Sequence, residues 1–306
     1  HHSTSSLRVN TLICKHNFFA YEWVMYMVII RTLLFIMSIV ILSTNAFAEK
    51  CSNFSTNFSF SSDVGFGNQY FKSLSKNFKK HGVCIVEKSN GHPTRLGQQS
   101  LRFEVKPGDC GYNNTWDDCK TDRERHELSG LRHNDGEHWF SWSIFLPDNF
   151  INIYPTKLAM GQFHQEKGHV VWMFQNSTGG YFVDNQVYGY TSRTDNILNQ
   201  KEMLGKWNDI LINANWTHKE NGFFRVWVNG KLSFKYNGPT KSKGKKVYQK
   251  FGVYRSFMTR YKMNKKTDKV PGQVVYFDEV RTGKSCNKIK LEELGYNCND
   301  LLASLN

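Results

Sequence analysis

Phe224-Arg225-Val226-Trp227-Val228-Asn229-Gly230-Lys231-Leu232-Ser233-Phe234 is the stretch that decides the fold. Alternating runs flank Asn229-Gly230, and both central residues tolerate the positive φ angles of a two-residue type I′ turn, so the stretch predicts a β-hairpin. Outward from it the same two-residue period recurs. Leu101-Arg102-Phe103-Glu104-Val105 alternates apolar and charged side chains, and His138 to Leu146 carries bulky residues on one face and smaller or polar ones partly on the other. Leu158 to Gln165, Val170 to Gln175, Gly180 to Asp184, Trp207 to Asn215 and Gln273 to Val280 read as further strands. Gly, Asn and Asp punctuate the runs, and Lys290 to Leu294 is the one helix expected. Many short strands over roughly 250 residues predict an all-β chain, a jelly-roll β-sandwich with one sheet curved into a concave groove. Residues two apart share a face of a strand. With Phe163 in the core, Gln162 and His164 line the open face.

The chain has 306 residues and a formal net charge of +14. That charge attracts polyanions, whether anionic polysaccharide, nucleic acid or membrane surface, and does not choose among them. Residues 1–26 open without a methionine, show no pattern and read as an upstream or disordered segment. From Met27, Arg31 precedes an apolar run from Leu33 to Leu42, followed by Ser43-Thr44-Asn45-Ala46-Phe47-Ala48. Residues 27–48 are therefore expected to be a secretory signal peptide cleaved after Ala48. A transmembrane anchor is the rival reading, but a spanning helix needs about 20 apolar residues, roughly twice this core. The mature chain is expected to be secreted or periplasmic, with no membrane span. Six prolines and no low-complexity linker argue for a single domain over residues 49–306. Six cysteines follow the cleavage site, and an even number in an exported chain points to disulfides. The close pairs are Cys110 with Cys119 and Cys286 with Cys298, which leaves Cys51 with Cys84. No Cys-x-x-Cys or His-x-x-x-His spacing marks a zinc site.

Five segments carry the chemistry in order: Arg125-His126-Glu127-Leu128, His138 to Pro147, Gln162-Phe163-His164-Gln165, Val226 to Gly230, and Lys250-Phe251-Gly252-Val253-Tyr254-Arg255. From about Phe60 to about Arg281 the chain resembles the concanavalin A-like jelly-roll polysaccharide lyases that include glucuronan lyase and heparin lyase I. The resemblance implies β-elimination at a uronic acid, in which the C5 proton is removed and the O4 oxygen expelled. The neighbouring carboxylate must be neutralised for charge to develop on it. Arg125, with its fork of donors, and the Gln162 amide are the expected carboxylate contacts. His164 suits the general base and Tyr254 the acid, although a tyrosine can perform both steps and the division stays open.

Gln165, Lys250, Arg255, Tyr261 and Lys262 are the candidate substrate-binding residues. Arg255 alternates away from Tyr254 unless a bulge intervenes, and Glu127 is expected to form a structural ion pair with Arg125. The lysine-rich stretches 241–246 and 260–266 read as loops rimming the groove, with Tyr261 stacking on a sugar. No spacing among His126, His133, His138 and His169 reads as a metal site. Asp117-Asp118 with Asp122 is too irregular for an EF-hand loop. No cofactor is required by this chemistry; the fold has room for a structural calcium ion that the sequence does not mark. The expected partner is an anionic polysaccharide, acted on by a monomer. The chain's compact length tilts the choice toward a glucuronan or alginate-like polymer over heparin or heparan sulfate.

Three alternatives remain on sequence grounds. A lectin-like binding module would keep the groove and aromatics without needing His164 and Tyr254 together. A retaining glycoside hydrolase needs two carboxylates about 5–5.5 Å apart, and the Glu-x-Asp-x-x-Glu string that usually supplies them is missing. Nucleic-acid binding has only the charge in its favour, with no recognisable module.

Overall fold

Residues 63–306, with the backbone of Asn57–Phe58, are described by the computed structural model. The upstream segment, the signal peptide and Cys51 lie outside the described residues. The hairpin forms as its sequence predicts: β13 (Phe223–Val228) pairs with β14 (Lys231–Asn237), and the turn has φ of 51° at Asn229 and 79° at Gly230.

Two eight-stranded sheets face each other as a jelly-roll sandwich. The first runs in the order β1 (Asn57–Phe58), β3 (Tyr70–Lys72), β6 (Arg123–Gly130), β15 (Val247–Ser256), β8 (Lys157–Gln165), β9 (Val170–Ser177), β10 (Gly180–Asn185) and β11 (Arg193–Asn199). The second runs β14, β13, β12 (Trp207–Trp216), β7 (Gly136–Phe145), β16 (Gln273–Gly283), β5 (Gln99–Val105) and β4 (Val83–Glu87). β2 (Gly65–Phe66) joins β16 in parallel. Aromatic side chains alternate inward from both sheets and fill the space between. Trp172 lies flat on Phe224 at 4.0 Å, and Phe103, Phe251 and Phe277 meet edge to face. Each such side chain contributes about 1.5–3 kcal/mol by leaving water, so this layer holds the sheets together.

The two outer faces differ. On the second sheet, Trp139, Leu211 and Trp227 are apolar and are covered by the C-terminal residues Ile289, Leu291, Leu294 and Leu301. The Cys286–Cys298 disulfide closes that cover. The outer face of the first sheet carries charge instead. Cys110 and Cys119 are bonded as expected; Cys84 is also disulfide-bonded.

Local structure departs from the sequence reading in several places. Residues 258–265 form a helix, Met258–Lys265, where a loop was expected, with Asp122 capping it through Thr259. Leu291–Leu294 is a 3₁₀ turn rather than an α-helix, and β11, with exposed polar residues at its start, carries no alternation to reveal it.

Gly252 shapes the strand that matters most. β15 keeps continuous register with β6 from Lys250 to Ser256, yet its pairing with β8 shifts between Phe251 and Tyr254. At this bulge Gly252 has φ of +132°, and a Cβ there would lie 2.4 Å from the His126 carbonyl oxygen. Gly252→Ala is expected to destabilise the protein by at least about 2 kcal/mol, from strained φ and a backbone clash together. Denaturant unfolding checks this, and an unchanged midpoint would show that the bulge is not needed.

Candidate active site

Alternation along three neighbouring strands assembles one charged face. On β15, Phe251 and Val253 enter the core, so Tyr248, Lys250 and Tyr254 face outward. Register then sets Tyr254 against Arg125, Gly252 against Glu127, Lys250 against Gln162 and Tyr248 against His164.

Glu127 is the centre of this face. Only 1% exposed, its carboxylate accepts from Gln162 Nε2 at 2.5 Å, Lys250 Nζ at 2.7 Å and Arg125 NH1 at 3.2 Å. Burial pushes its pKa up, but Lys250 and then Arg125 outweigh that and hold it below the ordinary glutamate value. Burial in turn lowers the Lys250 pKa, opposed by Glu127. Arg125 turns its edge to Asp118, with Nε at 2.6 Å and NH2 at 2.7 Å from the carboxylate oxygens. The Tyr254 ring covers its face at 3.9 Å.

The His164 Nδ1 lies 2.8 Å from the Gln165 carbonyl oxygen. A carbonyl only accepts, so Nδ1 carries the proton and Nε2 keeps a lone pair. Burial first, and the Lys250 charge second, lower the His164 pKa to about 4, so the imidazole is neutral near pH 7. The Tyr254 hydroxyl accepts from Arg123 Nε at 2.9 Å. Its own hydrogen is thereby left free to point elsewhere.

His164 and Tyr254 share the face without touching. Ala159 is the residue of β8 opposite Tyr254, five positions from His164, a backbone separation on the order of 15 Å at strand spacing. Gln162, Lys250 and Gly252 floor the interval.

Several expected site residues are placed elsewhere. Gln165 is buried, and its Oε1 accepts from Ser242 N at 2.5 Å, so it fastens the 241–246 loop and does not face the groove. Arg255 is fully buried on the core side of β15, paired with Glu124 and donating to the Pro271 carbonyl; the bulge does not turn it outward. Tyr261 is partly buried, with its ring packed against the main core rather than standing free. Lys241 is buried against Asp135 at 2.9 Å and forms no rim. Lys250 is on the site face but beneath its surface, and Lys262 lies on the helix after β15. Gln162 and Arg125 are on the face as well, already engaged by Glu127 and Asp118.

Sequence reading missed Arg123, Asp118 and Tyr248. Arg123 and Tyr248 had a signal, since they share parity with Arg125 and Tyr254 on their strands. Asp118 had none, because it reaches the site from a loop.

Among the described residues one group, His81, Asp109 and His126, brings three ligand atoms within 4.8 Å of one another. It is satisfied without an ion. His81 Nε2 meets Asp109 at 2.7 Å, His126 Nδ1 donates to the Glu104 carbonyl at 2.6 Å, and His126 Nε2 accepts from Lys79 N at 3.3 Å.

The chain is thus a jelly-roll sandwich whose open face combines basic, acidic and tyrosine side chains. The chain matches the polysaccharide lyase family over residues 88–281 and belongs to it. Its fold is similar to that of an endo-β-1,4-glucuronan lyase from the fungus Trichoderma reesei, at 15% identity and a TM-score of 0.52, covering 74% of this chain and 96% of that one. More distant likenesses are an alginate lyase from Pseudomonas aeruginosa (14% identity, TM-score 0.41, 65% and 92% covered) and a glycoside hydrolase family 131 catalytic domain from Coprinopsis cinerea (12%, 0.46, 72% and 85%). No curated protein matches the chain.

Two outcomes follow from the electrostatics of this face. Glu127→Ala leaves Lys250 buried without its counter-charge, at an expected cost of about 3–5 kcal/mol in denaturant unfolding; a cost under about 1 kcal/mol would show the network to be incidental to stability. Burial also lowers the pKa of both His164 and His133 to about 4. The unfolded chain binds these protons near pH 6.5 and the folded one resists them, so their contribution is fully present above about pH 6.5 and is lost as pH falls toward about 4. Unfolding midpoints measured across that window should fall, and fall less steeply in His133→Phe; equal slopes would contradict the assignment.

Proposed function

We propose that this polysaccharide lyase is exported and cleaves a uronate-containing polyanion by β-elimination, with His164 as base and Tyr254 as acid. The observation that carries the reading is an imidazole with its Nε2 lone pair open and a tyrosine hydroxyl on one face, either side of a cationic floor; to serve C5 and O4 of one sugar residue, the two side chains must lean toward each other over Gly252. Nε2 takes the C5 proton, the electron pair forms the C4–C5 double bond, the C4–O4 bond breaks, and Tyr254 passes its proton to O4. Solvent then returns a proton to Tyr254 and takes one from His164. Arg123, already donating to the Tyr254 oxygen, steadies the phenolate that this step leaves. Lys250 and Arg125 supply positive charge for the carboxylate, each backed by an anion, Glu127 and Asp118. This role for Arg125 is electrostatic rather than a direct fork on the substrate, because Tyr254 covers its face. The bound carboxylate also offsets Lys250 and lifts the His164 pKa toward a useful value.

A glucuronan or alginate-like polymer is favoured, in keeping with the fold likeness and the compact chain. The Cys110–Cys119 and Cys286–Cys298 disulfides, together with a disulfide-bonded Cys84, suit an oxidising compartment, which supports export after a leader at residues 27–48.

The test is ultraviolet absorbance of the unsaturated product on glucuronan, alginate, heparan sulfate and hyaluronan. One polymer should give a rising trace that drops at least about 100-fold in His164→Ala and in Tyr254→Phe. A flat trace on every polymer, or full activity in both variants, would defeat the proposal.

A further inference from the structure

The loop closed by Cys110–Cys119 carries Trp116, 43% exposed, beside the reacting end of Tyr254. An exposed indole is normally mobile, but this one is tied at several points. Its Nε1 donates to Asp118 Oδ1 at 2.9 Å, its backbone N donates to Asn113 Oδ1 at 2.8 Å, and its carbonyl accepts from Asn113 N at 2.8 Å. The Arg123 guanidinium packs on the Trp116 ring at 5.2 Å and also on Phe257 at 5.4 Å, and much of the indole stays open to solvent. Asp118, the residue holding that indole, is the same fully buried carboxylate that holds Arg125. Arg123 spends Nε on the Tyr254 hydroxyl and NH1 on the Thr121 carbonyl. Its NH2 makes no hydrogen bond among the described residues. A rigid aromatic surface beside an unspent guanidinium donor is suited to a pyranose ring that bears a carboxylate, since the ring stacks and the anion is met in one pose without ordering either side chain.

Position gives the subsite its direction. Arg123 pairs with Ser256, two residues past the Arg125–Tyr254 pair and on the side away from the His164–Tyr248 pair. With His164 at C5 and Tyr254 at O4, the chain that leaves through O4 extends over Arg123 and Trp116. We propose that Trp116 and Arg123 form a binding subsite for the uronate on the leaving-group side of the cleaved bond, Trp116 stacking the sugar and Arg123 NH2 taking its carboxylate. This rests on the lyase reading above.

The experiment measures KM and kcat on the polymer found to be cleaved, and calorimetric binding by the His164→Ala protein of a short uronide and of the same oligosaccharide with its carboxyl groups reduced. Trp116→Ala should raise KM and weaken both oligosaccharides about tenfold, while Trp116→Phe, which keeps a stacking ring but loses the bond to Asp118, should retain most of the affinity. Arg123→Gln should weaken the uronide alone and leave the reduced sugar unchanged. Binding and KM within about twofold of the parent in Trp116→Ala, or equal losses in Trp116→Phe and Trp116→Ala, would overturn the subsite while cleavage continued. Absence of any unsaturated product from the unaltered protein would instead mark failure of the lyase reading itself.

Discussion

Glu127 occupies a position where a strand would ordinarily meet water, yet its carboxylate is almost wholly enclosed. A buried anion is tolerated only when its hydrogen-bonding capacity is filled. Here Gln162 fills it from β8, Lys250 from β15 and Arg125 from its own strand. The carboxylate thus fastens three adjacent strands on their outer face, while the aromatic layer fastens them on the inner one. The second fastening fixes the lateral position of Lys250, Gln162 and Arg125, and through Arg125 the ring of Tyr254. An apolar residue at position 127 could pack, but it could not orient three polar partners at once.

That anion also sets the chemistry of the face. Burial first lowers the His164 pKa, Lys250 and Arg125 lower it further, and Glu127 partly offsets them. Asp118 performs the corresponding service for Arg125 from the loop side. The positive charges are therefore held ready by anions placed behind them, an arrangement that needs little reorganisation when negative charge develops in front. The closed outer face of the second sheet is the complement: an apolar surface there is covered by the chain's own C-terminal residues, leaving the charged face as the accessible one.

Much of this was legible in the sequence because strand period is simple. Asn229-Gly230 marks the hairpin, and parity alone puts Gln162 with His164 and Lys250 with Tyr254. Parity also separates Arg255 from Tyr254, and the bulge that could have reversed this leaves Arg255 buried. What parity cannot give is reach. Gln165 has the composition of a groove residue, but the loop carrying Ser242 claims it, and Tyr261 reads as an exposed aromatic until residues 258–265 coil into a helix and lay it on the core. Asp118 belongs to a loop whose path is set by a disulfide and by the turn at Asn113, and no periodic signal survives in such a segment. The misses are long-range packing and loop geometry, the two terms that a local pattern does not contain.

Two arginines serve Tyr254 in ways that a single one could not. Arg125 packs on the face of the ring at 3.9 Å, and so fixes its plane; Arg123 donates to the phenolic oxygen, and so fixes where the lone pair points. With the plane and one lone pair determined, the hydroxyl hydrogen is confined to the remaining direction, away from Arg123. General-acid catalysis depends on that direction as much as on acidity, because the proton must already lie along the path to the departing oxygen. The same division explains their burial. The arginine that sets the plane can be enclosed and neutralised by carboxylates, whereas the one that sets the direction must stay near the surface, where an edge of its guanidinium remains available to an anionic sugar.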